Sequence, residues 1–222
     1  MVATVNFYID GFNFYFPIRQ FQEKRGICLK WLNYDSLCRS LLGEGEAMGQ
    51  IYFFTAISES FGQASVHRHN LLISAYESFG IKVIKGNFKR QTVTCKVRGC
   101  THPEKNFTKQ SEKRTDINIA LQIYEDAIKG HFEKAFLFSA DSDFVPVIEK
   151  AHQLDRSVSI VPVTLKHFNH ERQGFYYPPM NELKQACSGK WLPLDFKKLK
   201  RHIMPKVLYH QGYAIHMPAD YQ

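Results

Sequence analysis

The sequence predicts an α/β fold, a three-layer core around a mostly parallel central sheet with a C-terminal appendage. Three observations carry this. Several apolar, β-branched runs are nearly continuous, as strands buried on both faces are. Longer stretches between them place apolar residues at helical spacing. The two kinds alternate along the chain, which is the signature of strand–helix–strand units.

In order, the strand-like runs are 3–9, 50–57 (QIYFFTAI), 81–85, 92–97, 134–139 (KAFLFS) and 157–163 (SVSIVPV). The first run ends in "YIDGFNFYF". A DG pair between apolar runs is ordinarily a hairpin turn, but here the chain leads toward a connection containing a helix. Helices are predicted over 33–42, 66–79, 112–129 and 144–154, the last with Pro146 in its first turn. Val66, Leu71, Leu72, Ala75 and Phe79 share one face of the second, and Ile117, Ala120, Leu121, Tyr124 and Ile128 one face of the third. Segment 86–110 is polar, basic and glycine-containing, and reads as a loop or short hairpin inserted before the third helix. After about 170 the pattern loosens into YYPP, a short helix near 180–187 and an irregular tail. The expected organisation is an α/β core over 1–170 and an extension, 171–222, packed on it.

A chain of 222 residues, 44% hydrophobic and 23% charged, fits one sizeable globular core rather than a disordered segment. No apolar run approaches the roughly 20 residues that cross a bilayer. The N-terminus lacks a basic region and a cleavage site and reads as a first strand, so a cytoplasmic setting is expected. Five scattered cysteines, Cys28, Cys38, Cys95, Cys100 and Cys187, argue for reduced thiols over a disulfide framework. The net charge of +8 is concentrated: residues 82–114 hold ten Lys/Arg against Glu104 and Glu112, so the remainder sums to zero. Such density suits a phosphate backbone, whose neutralisation releases counterions, although a solvated lysine-rich loop has the same composition.

In a doubly wound sheet, ligands bind beyond the carboxyl ends of the strands. The first strand ends in Asp10. The 134–139 strand leads into "SADSDFVPVIEKA", which sets Asp141 and Asp143 just past its tip, and Asp116 stands early in the 112–129 helix. Four carboxylates from three elements can therefore meet at one sheet edge. Carboxylates that converge repel one another unless a cation neutralises them, and Mg²⁺ takes such oxygen ligands. Two such ions can activate a water and stabilise a leaving phosphate oxygen. Each acid also has an ordinary role open to it: Asp10 as a turn former, Asp141 or Asp143 as a helix cap, Asp116 as a favourable first-turn charge.

"FYIDGFNFYF", "EKRTDINIAL" and "LFSADSDFVPVIEKA", in this order, resemble the NYN family, the LabA-like branch of the PIN-like nucleases, over roughly residues 3–165. The resemblance implies a Rossmann-like, PIN-like core and metal-dependent cleavage of RNA. It implies Asp10, Asp116, Asp141 and Asp143 as catalytic and metal ligands for Mg²⁺ or Mn²⁺. Asn13, beside the first aspartate, would orient a ligand or metal-bound water, and Ser139 would bond a phosphate or such a water. Glu112 and Lys113 match the family's EK pair. The expected substrate-binding set is Ser139, Lys113, Arg114, Lys89 and Arg90. The expected partner is RNA, single-stranded DNA being the other candidate, with no membrane and with self-association open. Two further functions fit the same residues: RNA binding without cleavage, and a metal-dependent phosphatase.

Other constellations are less specific. Cys95-x4-Cys100-x-His102 offers three of the four ligands of a structural zinc site, and free thiols are the alternative. His67, Arg68, His69 and Asn70, and likewise His167, His170 and Arg172, stand where they would border a groove or simply be solvated. Phe12, Phe14, Tyr15 and Phe16 can stack on bases or fill the core. Neither the P-loop nor the dinucleotide glycine signature occurs.

Overall fold

The computed structural model of the chain describes residues 2–162, 167–169, 174–176 and 181–221, apart from 27, 59–61, 100, 103 and 105. The elements run β1 (Ala3–Asp10), α1 (Gly11–Arg25), α2 (Tyr34–Arg39), β2 (Glu46–Thr55), α3 (Gln63–Ser78), β3 (Lys82–Lys85), β4 (Asn87–Thr94) and β5 (Asn106–Lys113). They continue with α4 (Thr115–Lys129), β6 (Lys134–Phe138), a 3₁₀ turn at Ser142–Phe144, α5 (Val145–Gln153) and β7 (Ser157–Ile160). Then follow β8 (His167–Asn169), β9 (Gly174–Tyr176), α6 (Asn181–Ala186), α7 (Phe196–Leu199), β10 (Val207–His210), β11 (Tyr213–His216) and a 3₁₀ turn at Ala219–Tyr221.

Five strands form the central sheet in the order β3-β2-β1-β6-β7, every pair parallel. β1 is central, and its VNFYID run is buried throughout, which is why it reads as continuous rather than alternating. Its register with β2 shifts between Val5 and Phe7. The buried Asn6 side chain serves this irregularity, its Oδ1 accepting from the Gln50 N–H at 2.8 Å. The chain leaves β1 toward β2 and β3 on one side and returns through β6 and β7 on the other. The order thus reverses between β1 and β6, and that switch point is where such a sheet leaves a crevice open.

One face of the sheet packs Phe7, Ile9, Phe53, Phe136 and Phe138 against α1, α2, α3 and C-terminal residues, with Trp31 fully buried. The other packs Tyr8, Phe54, Leu137 and Ile160 against α4, α5 and α6. The C-terminal stretch is tied in by backbone: Asn33 N–H donates to His202 O at 2.6 Å, and Met204 N–H to Trp31 O at 2.9 Å. Leu194, Leu199, Met204, Ile215 and Met217 share the first core.

Segment 86–110 contains an antiparallel hairpin, β4–β5, paired from Asn87 with Lys113 to Thr94 with Asn106. The strand predicted at 92–97 therefore lies earlier, at 87–94, because a ribbon exposed on both faces has no apolar pattern to fix its register. The helix predicted from 112 begins at Thr115; Glu112 and Lys113 finish β5, and Arg114 makes the corner at φ 78°.

The face predicted for α4 is corrected. Ile117 (62%), Leu121 (60%) and Ile128 (58%) are exposed, whereas Ile119, Ile123 and Ala127 enter the core. On α3, Ile73, Ala75 and Tyr76 are the buried residues, not the whole face drawn through Val66 and Phe79. No helix among the described residues is long and apolar enough to cross a membrane.

Candidate active site

Asp10 is the last residue of β1 and the N-cap of α1. Its Oδ1 accepts the backbone N–H groups of Phe12 (3.1 Å) and Asn13 (3.0 Å), two of the donors a helix start leaves unpaired. Gly11 is there for closeness rather than for a turn: a Cβ on it would lie 2.6 Å from Phe54 O and 2.8 Å from the Phe53 ring. α1 thereby starts directly against the end of β2. The DG pair opens a helix, not a hairpin.

From the other side of the switch point, Ser139 donates its hydroxyl to Asp10 Oδ2 at 3.2 Å and accepts the Asp141 N–H at 3.2 Å. Asn13 Oδ1 accepts the Ala140 N–H at 3.1 Å. The α1 start and the β6 exit are thus laced together by two side chains, both of which the sequence marked. Ser139 is buried beneath Asp10, and Asn13 spends its carbonyl oxygen on the backbone. Asp141 caps the 3₁₀ turn, its Oδ1 accepting the Asp143 N–H at 3.0 Å, while Asp143 itself is exposed.

Asp116 projects from the first turn of α4. Its carboxyl is raised above the usual carboxylate range, by partial loss of solvent first, then by the charges of Glu112, Asp141 and Asp143. Asp10 is pushed up to about 6, chiefly by burial; the Asn13 N–H opposes this and the Asp116 charge adds to it. Mutual repulsion therefore links the acids of β1, α4 and the β6 exit, with Glu112 of β5 as a fifth member. Glu112 accepts from the Thr115 N–H at 2.9 Å and from the Thr115 hydroxyl. Gly86 lies directly under that junction, where a Cβ would stand 2.6 Å from Thr115 Oγ1. As their side chains stand, no three His, Cys, Asp or Glu residues among the described ones are grouped to hold a metal ion, so a shared ion would require the exposed Asp116 and Asp143 carboxylates to turn inward.

Lys89, Arg90, Lys113 and Arg114 are exposed on the hairpin and its exit, beside this acidic group. Arg90 is paired with Gln110 and lies two residues from Phe88, on the same face; Lys89 points from the other. Of the four aromatics after Asp10, Phe14 is core, packed on Tyr34 and Phe138, while Phe12 meets Phe88 of the hairpin. Tyr15 and Phe16 are exposed. His69 is bonded to Thr55, Nε2 to Oγ1 at 2.9 Å. Cys100 of the zinc reading and His170 and Arg172 of the second polar cluster lie outside the described residues.

The sequence reading passed over Thr115, Phe88 and Thr55. Thr115 is in plain view in "EKRTD" but only the hairpin's return reveals that it seats Glu112. Asp126, a second buried carboxylate, stands apart from this group: it accepts from Tyr8 Oη at 2.7 Å and Gln122 Nε2 at 3.1 Å and contacts His131 Nδ1 at 3.0 Å.

A family model of the NYN domain matches residues 4–188. A curated relative, 6-hydroxy-3-succinoylpyridine 3-monooxygenase HspA of Pseudomonas putida (strain DSM 28022 / S16), is 27% identical over 188 residues, 71% of this chain. The match spans 59% of that relative's length. Among solved structures, a protein of unknown function, VPA0982 from Vibrio parahaemolyticus RIMD 2210633, aligns at 13% identity and a TM-score of 0.49, covering 91% of this chain and 96% of that one. With the family match running from β1 through α6, the chain belongs to the NYN-domain family, within the PIN-like nuclease superfamily.

Proposed function

We propose that the protein is an endoribonuclease that uses Mg²⁺ or Mn²⁺ to hydrolyse the phosphodiester bonds of RNA, single-stranded RNA above all. The observation that carries this reading is that Ser139 bonds both the Asp10 carboxylate and the Asp141 N–H at the switch point, where Asp116 stands under the charges of Asp141 and Asp143, next to an exposed basic hairpin. The donors are all carboxylate oxygens, which suits a hard divalent ion, and a cation is what relieves their repulsion. The exposed side chains of Asp116 and Asp143 have the freedom to close on an ion that Asp10, bonded on both oxygens, anchors.

Asp10, Asp116, Asp141 and Asp143 would hold such an ion, which would supply an acidified water and positive charge for the leaving oxygen. The chain's own residues do the rest. The N–H groups of Phe12 and Asn13 and the Ser139 hydroxyl fix the Asp10 carboxylate, and Asn13 holds the β6 exit in register with α1. Lys89, Arg90, Lys113 and Arg114 attract and orient the phosphate backbone, which otherwise would be repelled by the acids. Purified protein is expected to cut single-stranded RNA with Mn²⁺ or Mg²⁺ and to stop with chelator, while Asp10→Asn and Asp141→Asn abolish cleavage. Undiminished cleavage by both variants contradicts the reading.

A second reading comes from the relative named as a monooxygenase of a hydroxypyridine. It predicts consumption of 6-hydroxy-3-succinoylpyridine by the purified protein supplied with dioxygen and a two-electron reductant, and no chelator-sensitive loss of RNA.

A further inference from the structure

A cavity of about 220 Å³ opens on the same sheet edge, between the start of α1, the end of β2, α3 and the hairpin. Its walls are aromatic. Phe12 and Phe88 meet edge to face with centroids 5.8 Å apart. Lys30 Nζ lies 5.8 Å from the Tyr15 ring and 5.6 Å from that of Tyr221, a cation shared by two rings of the lining. Polar groups share the lining, and several are held in place. His69 is bonded to Thr55, and burial, with the Lys85 charge, lowers its affinity for a proton. Arg68 is paired with Asp220 at 2.9 Å.

The volume falls below the ~300–1,000 Å³ of pockets that enclose drug-sized ligands, and admits one flat ring system. Aromatic walls with an adjacent cation suit a planar heterocycle, because every base offers a π-face. The hairpin register ties this cavity to the acids. Phe88 and Glu112 are direct cross-strand partners, so their side chains stand on one face ~5 Å apart at Cβ. Phe88 turns to Phe12 and the cavity, and Glu112 to Thr115 and the Asp116 charge. Phe12 itself donates its N–H to Asp10. Cavity and acidic group are neighbours through two independent pairs of residues, Phe88 with Glu112 and Phe12 with Asp10.

We infer that this cavity is a nucleobase subsite, which takes one unstacked base of the RNA strand while the adjoining backbone crosses the acidic group. The inference rests on the ribonuclease reading for the identity of its ligand. It makes the base next to the cut a point of recognition, with Arg90 placed two residues along the same hairpin face to meet the following phosphate.

The test is binding of the full chain, in chelator, to short fluorescent single-stranded RNAs that carry one abasic position in turn. One position is expected to weaken binding roughly 5- to 150-fold, the loss of one base stacked at ~1–3 kcal/mol. Phe88→Ala and Tyr221→Ala should each weaken intact RNA by a similar factor and cancel the abasic effect. Phe88 sits on the hairpin and Tyr221 in the terminal 3₁₀ turn, so misfolding of one variant leaves the other to decide. Equal binding of intact and every abasic RNA, or an abasic effect that survives in a folded variant, overturns the subsite. Cleavage with Mn²⁺ is scored in parallel. Cleavage with abasic-insensitive binding removes the subsite alone; abasic-sensitive binding without cleavage removes the nuclease reading and leaves the subsite as a base-binding site.

Discussion

The Ser139 hydroxyl donates to Asp10 Oδ2 at 3.2 Å, joining the ends of the two strands that flank the switch point. Both groups are buried, so the bond cannot be replaced by bulk water without cost. Ser139→Ala is expected to lower stability by about 1–2 kcal/mol and to leave the Asp10 carboxylate less restrained. Urea unfolding gives the first quantity, and RNA cleavage, reduced about tenfold or more, reads the second. Ser139→Thr, which keeps the hydroxyl, should recover most of the activity.

Asp10 also predicts a pH dependence. Its carboxyl is raised to about 6 in the folded chain, against ~3.9 when unfolded, so the folded state holds the proton more tightly. The contribution is fully favourable below pH ~4 and is lost as pH rises through 6, a change of about 3 kcal/mol. In metal-free buffer the stability of Asp10→Asn relative to the native chain should therefore climb between pH 4 and 7. Adding Mn²⁺ at pH 7 should raise the melting temperature of the native chain and leave that of the variant nearly unmoved.

Gly11→Ala tests why α1 begins where it does. The added methyl would sit 2.6 Å from a backbone oxygen, which no side-chain movement relieves. A loss of about 1–3 kcal/mol, typical of overpacking, is expected by chemical denaturation, although alanine is the better helix former.

Much of the fold was legible because β1, β2, β6 and β7 are buried on both faces and their composition says so. α4 shows what was not. Ile117, Leu121 and Ile128 keep helical spacing as well as Ile119, Ile123 and Ala127 do, and periodicity alone cannot say which stripe the sheet takes. The buried stripe also contains Asp126, which sequence pattern assigns to water. Asp10, Asp141 and Asp143 were placed by strand ends. The association of Glu112 with Asp116 depends on a hairpin corner at Arg114, whose left-handed backbone no residue in "EKRTD" advertises.

Hairpin faces separate two neighbouring cations. Arg90 shares the Phe88 and Glu112 face, and Lys89 points away from it. Arg90→Ala should weaken single-stranded RNA binding several-fold more than Lys89→Ala at the same ionic strength, and should reduce the salt dependence by the larger step. Anisotropy titrations at several salt concentrations separate the two effects, and equal losses would place the RNA elsewhere on the hairpin.

The central claim is that Asp10, Asp116, Asp141 and Asp143 share a cation. Anomalous scattering from crystals grown with Mn²⁺ measures this directly. The account predicts a manganese peak bonded to an Asp10 oxygen and to at least one of the other three carboxylates, absent in Asp10→Asn. Ordered carboxylates with no manganese between them at saturating Mn²⁺ would contradict it.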